Sequence, residues 1–230
     1  MNNPLRELSK NEWGLWSVSL CIVTVSNFAA GNPDFLTLAA TWIGITSLIF
    51  AAKGNVWAQL LMIVFSILYG IISYRFHYWG EMITYLGMSM PMAVWSAVTW
   101  IRNPSAENEG VAIQTLHKMQ FLFLISLGFC VTGIFYIILR FLQTPNLVFS
   151  TISVMTSFLA AALTMLRSSY YALGYAANDM VLIILWSLAA AQDTVYLPVV
   201  INFFIFFLND MYGFISWKKR EHKKRRTNLC

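Results

Sequence analysis

Polar residues along this chain are few and bunched, and between the bunches lie apolar runs of the length a helix needs to cross a bilayer. A hydrocarbon core about 30 Å thick takes roughly 20 apolar residues of helix, because every backbone N–H and C=O must be satisfied within the segment. Eight such runs are read, near Trp13–Ala30, Phe35–Ala52, Asn55–Tyr74, Met82–Ile101, Phe121–Arg140, Leu147–Leu166, Tyr171–Gln192 and Tyr196–Trp217. The connections are short except Arg102–Gln120, where Asn103, Pro104 and Ser105 mark a solvated loop. The pattern predicts an all-α, polytopic membrane protein with eight transmembrane helices in a single membrane domain. Pro91 in the fourth run and Pro198 in the eighth each remove a backbone donor and are expected to shape their helices.

Spans 2 to 4 superpose on spans 6 to 8. Phe35 to Lys53 and Phe149 to Arg167 are both nineteen residues long, and each opens with Phe and ends in one basic residue. Each is followed by a hairpin of two spans with a Tyr at its outer turn, Tyr78 or Tyr196, and an interfacial Trp at its end, Trp100 or Trp217. The offset is 114 at the start and 117 or 118 at the end. One span separates the two units, so both enter the membrane from the same side and the repeats are parallel, an architecture used by secondary transporters. The expected organisation is an extra N-terminal helix at 13–30, a first three-helix repeat at 35–101, an inner loop and linker helix at 102–140, a second repeat at 147–217 and a basic tail at 218–230.

Composition narrows the class. Of the 230 residues, 58% are hydrophobic and 11% charged, against about 25% charged in an average soluble domain, which leaves little room for a soluble enzyme or nucleic-acid-binding domain. The net charge of +5 follows from topology. With the N-terminus in the cytoplasm, thirteen of the fifteen basic residues fall inside and only Arg75 and Arg140 outside. Both termini are therefore expected to be cytoplasmic. The tail from Lys218 to Arg226 reads as an anchor on anionic lipid headgroups rather than a nucleic-acid patch. The stretch after Met1–Glu12 reads as a first span and not a cleaved signal peptide. Cys21 and Cys130 read as packing thiols, Cys230 is the last residue, and no pattern points to a disulfide, a metal or a cofactor. His77 and His117 read as solvated interfacial residues.

Polar side chains inside spans are costly and usually face a cavity or clamp one helix to another. Gln59, the pair Asn178 and Asp179, and the pair Asn209 and Asp210 all lie roughly 9 to 12 Å from the inner boundary at 1.5 Å per residue, and Trp95 shares their depth. Amides and carboxylates together can bind vicinal hydroxyls or a carboxamide. Trp57, Tyr69, Trp95, Trp186 and Tyr212 are the candidate aromatic faces for a flat or cationic ring. No nucleotide-binding G-x-x-x-x-G-K-[ST] and no H-E-x-x-H or G-x-S-x-G occurs in the chain. The reading is not an enzyme; an aspartyl dyad of Asp179 and Asp210 is the alternative from that class, and a non-transporting assembly or sensor protein is another.

The stretch K-G-N-V-W-A-Q, then L-Y-G and H-Y-W-G-E (Lys53 to Glu81), with W-I-R at Trp100 to Arg102, resembles the bacterial PnuC family of nicotinamide riboside transporters. The segment F-L-N-D-M-Y-G-F-I-S-W (Phe207 to Trp217) and A-N-D (Ala177 to Asp179) resemble its second half, so the match runs roughly from Phe35 to Trp217. The resemblance implies a fold similar to SWEET-type sugar transporters, three helices, a linker and three helices. It also implies a homotrimer in the bacterial inner membrane and facilitated diffusion of nicotinamide riboside, trapped by a cytosolic riboside kinase. It places substrate contacts on Gln59, Asn178 and Asn209 and stacking on Trp57, Trp186 and Tyr212. Where many members show W-x-x-W before the Asn of span 7, this chain has Ala172, Leu173, Gly174 and Tyr175. The aromatic wall there rests on Tyr175 or is built differently, and another vitamin such as thiamine stands as the alternative cargo.

Overall fold

The computed structural model describes residues 4–29, 33–105 and 110–227. Ala30, at the expected end of the first span, part of the long loop and of the basic tail, and Cys230 lie outside these residues. Apart from one isolated bridge between Pro104 and Val111, the regular structure described is helical: α1 (Lys10–Ala29), α2 (Phe35–Ala52), α3 (Trp57–Arg75), α4 (Trp79–Ile83), α5 (Met90–Arg102), α6 (Lys118–Phe141), α7 (Leu147–Met165), α8 (Tyr171–Ala190) and α9 (Leu197–Thr227).

Six helices, α2, α3, α6, α7, α8 and α9, are long and apolar enough to cross a membrane. Two of the eight expected spans fall short of that description. Helix α1 carries a polar buried stripe of Glu12, Ser19 and Asn27, and the fourth span is not one α-helix. Its path, 79–102, is divided by a π-helical segment, Thr84–Ser89, between α4 and α5. Pro91 explains the division: it has no N–H for the carbonyl four residues back, and its ring crowds that carbonyl, so the preceding turn widens. Pro198 sits in the first turn of α9, where no intrahelical donor is needed, and kinks nothing.

Helix ends repeat one device. At the end of α2, Gly54 takes φ +68° while its N–H bonds Ala51 O and that of Asn55 bonds Phe50 O. The end of α7 does the same with Arg167 (φ +56°), whose N–H bonds Thr164 O while Ser168 N–H bonds Leu163 O. These are Schellman closures, which satisfy the last carbonyls of a helix. They set the equivalence of the two segments at 113 residues, Gly54 with Arg167, one less than the 114 read from Phe35 and Phe149.

Helices α2, α3, the 79–102 path, α7, α8 and α9 pack in a closed ring: α2 on α3, α3 on α5, α5 on α7, α7 on α8, α8 on α9 and α9 back on α2. Helix α1 lies outside on α2 and α9, and α6 outside on α7. Helix α6 buries only Leu124, Gly128 and Leu139. The two seams between 35–102 and 147–217 are fastened reciprocally. Trp217 Nε1–H donates to Ala51 O (2.8 Å) and Trp100 Nε1–H to Thr164 O (3.0 Å). Each indole thus bonds a carbonyl near the end of the other unit's first helix, and the two rings meet at 5.6 Å. Both Trp are fully buried, at 0% and 1% exposure, which corrects their expected place at the lipid interface; the carbonyls they satisfy are inside the bundle.

Most of the basic residues gather at one end of the ring. The expected tail begins there as a continuation of α9. Arg220 donates to Lys53 O and Val111 O and Lys224 to Ile113 O, while Lys218 pairs with Glu221 at 2.9 Å. Part of the basic charge is thus spent on fastening the loop after α5. Gly110 allows this loop to approach, since a Cβ there would lie 2.4 Å from Lys53 O. His117 caps α6 and His77, at φ +59°, is exposed. Cys21 and Cys130 lie exposed on the outer faces of α1 and α6, not in packed interiors.

Candidate functional site

Helical periodicity brings one face of each ring helix to the centre. Gly44 and Leu48 on α2, Met62 and Phe65 on α3, Tyr85 and Ser89 on the π segment, Ser157 on α7, Tyr175, Asn178 and Asp179 on α8, and Phe203, Phe206 and Asp210 on α9 surround one cavity. The spacings within each helix are three, four or seven residues, those of one helical face, with Asn178 and Asp179 as adjacent positions at its edge. The cavity is about 30 Å³, room for a water or two. A larger depression of about 400 Å³ lies at the basic end among Gln114, Lys118, Ser169 and Glu221, outside the ring interior.

The polar side of the cavity is built on α8 and α9. Asn178 Oδ1 accepts from Thr156 Oγ1 and Ser157 Oγ, both at 2.9 Å. Those two bonds fix the amide and leave its NH₂ as the group available to a bound molecule. Asp179 and Asp210 are 4% and 3% exposed and lie within hydrogen-bond reach of one another. Among the described residues no donor reaches Asp179 Oδ2.

The remaining wall is aromatic, with Phe65 at its hub. Its ring is 5.6 Å from Tyr69, 5.9 Å from Tyr85 and 5.6 Å from Phe206, edge to face with the latter two. Gly44 permits this closeness: a Cβ there would stand 2.7 Å from Phe206 Cζ and 3.1 Å from the Phe65 ring. Farther from the basic end, Tyr78 and Tyr196 both pack against Trp186, at 4.5 and 5.7 Å. The cavity is therefore capped on that side by two layers of rings.

Of the residues singled out from the sequence, Asn178, Asp179 and Asp210 meet in this cavity. Tyr69 stands one turn beyond it, stacked on Phe65. Trp186 is fully buried in the aromatic cap. Gln59 is buried in the first turn of α3, which begins at Trp57 because Asn55 turns the chain with its side chain accepting from Trp57 N–H. Asn209 points elsewhere: its Nδ2 donates to Ser19 Oγ (3.0 Å) and Ile205 O, clamping α9 to α1. Tyr212 OH donates to Glu12 at the same seam (2.9 Å), where Glu12 also pairs with Lys53 at 3.0 Å. Trp57 and Trp95 are 39% and 66% exposed and turn outward from the ring. Tyr85, Ser157 and the apolar lining were not among the expected site residues, whereas Tyr175, named as one way to build the aromatic wall, lines the cavity. The periodic spacing of Phe203, Phe206 and Asp210 on α9 was the signal available for the last helix.

A model of the nicotinamide mononucleotide transporter family matches residues 34–219. The chain belongs to that family. The nicotinamide riboside transporter PnuC of Neisseria mucosa is 27% identical over 195 residues, covering 82% of this chain and 74% of that protein. The crystal structure of the vitamin B3 transporter PnuC matches with a TM-score of 0.80 at 25% identity, covering 92% of each chain. These relatives of the family member described here are transporters, not enzymes, and its helices make it a multi-pass membrane protein. At the family's W-x-x-W position, Ala172 is fully buried, Gly174 is packed against Ala160, and Tyr175 lines the cavity.

Proposed function

We propose that this chain carries nicotinamide riboside across the bacterial inner membrane by facilitated diffusion, with Asn178, Asp179 and Asp210 as its polar contacts and Phe65, Tyr85 and Tyr175 as its aromatic walls. The observation that carries this reading is the cavity at the centre of the ring, where a fixed amide and two carboxylates face aromatic rings. A riboside of an aromatic carboxamide offers a flat ring for the aromatic faces and vicinal hydroxyls for the carboxylates. Trp57, Gln59, Trp95, Asn209 and Tyr212 contribute through the helices they hold rather than by touching cargo in this closed arrangement.

The two units 35–102 and 147–217 act as parallel repeats, a SWEET-like pair joined by α6, with α1 and the 79–102 path as the seventh and eighth spans. Their reciprocal Trp bonds support that reading. A 30 Å³ cavity does not admit a nucleoside without movement, so the halves must part, and the π segment beside Pro91 is where regular α-helical pairing is interrupted on the first half. Both termini face the cytoplasm, the protein assembles as a homotrimer, and a cytosolic riboside kinase traps the cargo.

The test is thermal stabilisation of the purified protein by nicotinamide riboside, nicotinamide mononucleotide, nicotinamide, thiamine and riboflavin, because a ligand that binds the folded state raises its stability by mass action. A shift with the riboside is expected; a shift with thiamine alone replaces the cargo. In vesicles without kinase, uptake stops at equal concentrations, and accumulation beyond that in the absence of ion gradients rules out facilitated diffusion.

A further inference from the structure

Asp179 and Asp210 form a buried carboxyl pair that no basic side chain among the described residues reaches. The two ion pairs among the described residues, Lys53 with Glu12 and Lys218 with Glu221, lie at the basic end and include neither Asp. Both carboxyls are buried at the centre of the ring, side by side on adjacent helices, and Asp179 Oδ2 faces the cavity lining without a donor. Carboxyls at membrane depth face a cavity or pair with one another, and two in contact in a medium of low dielectric keep a proton between them unless a cation takes its place. The other walls suit a cation too. Phe65, Tyr85, Phe203 and Phe206 line the same space, and the faces of aromatic rings attract positive charge.

The geometry points to a site that selects a planar aromatic monocation, with Asp179 and Asp210 as the counter-charge to a quaternary ring nitrogen and hence as the residues that set specificity for charged over neutral rings. This rests on the cargo proposed above and deepens it. The pyridinium nitrogen of nicotinamide riboside bears a fixed positive charge, whereas its 1,4-dihydro form has nearly the same shape and is neutral. A 5′-phosphate adds negative charge beside the Asp pair, so the mononucleotide is disfavoured by the same two residues.

The experiment compares titration calorimetry of the purified full chain with nicotinamide riboside and with its 1,4-dihydro form, in wild type, Asp179→Asn, Asp210→Asn and Asn178→Ala. Wild type binds the cation about tenfold or more tighter than the neutral form, the size of one charge-assisted contact. Each Asp→Asn variant loses most of that ratio by weakening the cation and leaving the neutral form nearly unchanged, while Asn178→Ala weakens both alike. Equal affinity of wild type for the two forms, or a ratio untouched by both Asp→Asn variants, overturns the inference and leaves the riboside reading standing. Binding of neither form removes the riboside reading and the inference with it. Unfolding midpoints of the ligand-free variants identify any that do not fold, in which case the wild-type ratio decides alone.

Discussion

The unit 35–102 contributes Gly44, Leu48, Met62 and Phe65 to the cavity from its first two helices, and the unit 147–217 contributes Ser157, Tyr175, Asn178 and Asp179 from the matching helices. Gly44 and Ser157, Met62 and Tyr175, and Phe65 and Asn178 each stand 113 positions apart, the same interval that relates the two Schellman closures. Equivalent backbone positions thus face the same space with opposite chemistry, apolar on one side and hydrogen-bonding on the other. Elsewhere the halves remain alike. Trp100 and Trp217 make the same bond to the opposite unit, and both first helices end on a left-handed residue. The ring closes through like contacts at its two seams, and a few inward positions that differ give the cavity one apolar and one hydrogen-bonding wall.

The strongest way to break this contrast is at the hub of the apolar side. Phe65→Ala removes a ring packed on three others, and large-to-small changes at such positions cost about 3–5 kcal/mol; the unfolding midpoint in detergent should fall steeply, and riboside binding with it. Asn178→Ala, at the equivalent position of the other half, should instead lower affinity about 10- to 100-fold, the range for a lost polar contact to a charged or strongly polar ligand, with a small change in the midpoint. The same loss of stability in both variants would mean that the two sides do one job.

The likeness of the halves is tested at the seams. Trp100→Phe and Trp217→Phe each delete one indole donor to a carbonyl that keeps a backbone N–H partner, so each should cost about 1 kcal/mol and the two midpoints should match. A clear inequality would show that one seam carries the load. The smallest effect concerns α1, which polar groups fasten to α2 and α9. Burial of Glu12 pushes its carboxyl up, but the Ser9 amide, Lys53, the Ser9 hydroxyl and Tyr212 together hold it below its ordinary value. Its contribution to stability is therefore present above the ordinary carboxylate range and lost as pH falls through the depressed folded value. Wild type should lose stability over that acid interval more steeply than Glu12→Gln, as read from unfolding midpoints against pH.

The helical segments and the family were legible because each is written in local pattern: run length, a basic residue at one end, an aromatic or amide at a fixed interval. The site was legible only in part, and Asn209 and Asp210 show why. They are neighbours at one depth, but successive residues on a helix point about 100° apart, so one clamps α1 through Ser19 and the other enters the cavity. Trp57 and Trp95 have the right residue type and the right depth and face outward. Glu81 was quoted only within a family motif, yet it is fully buried and accepts from Ser153 Oγ across a seam.

What the sequence determined by itself is the set of apolar runs and the depth of their polar groups, since the cost of unsatisfied backbone in lipid leaves a chain of this composition little choice but helices. The tertiary structure decided which helices close the ring, which face of each turns inward, and therefore which polar groups share a cavity and which fasten a seam. The physical reason is that depth depends on position along one helix, whereas facing depends on the packing of its neighbours, and packing joins residues such as Thr41 and Asn202, which lie 161 positions apart.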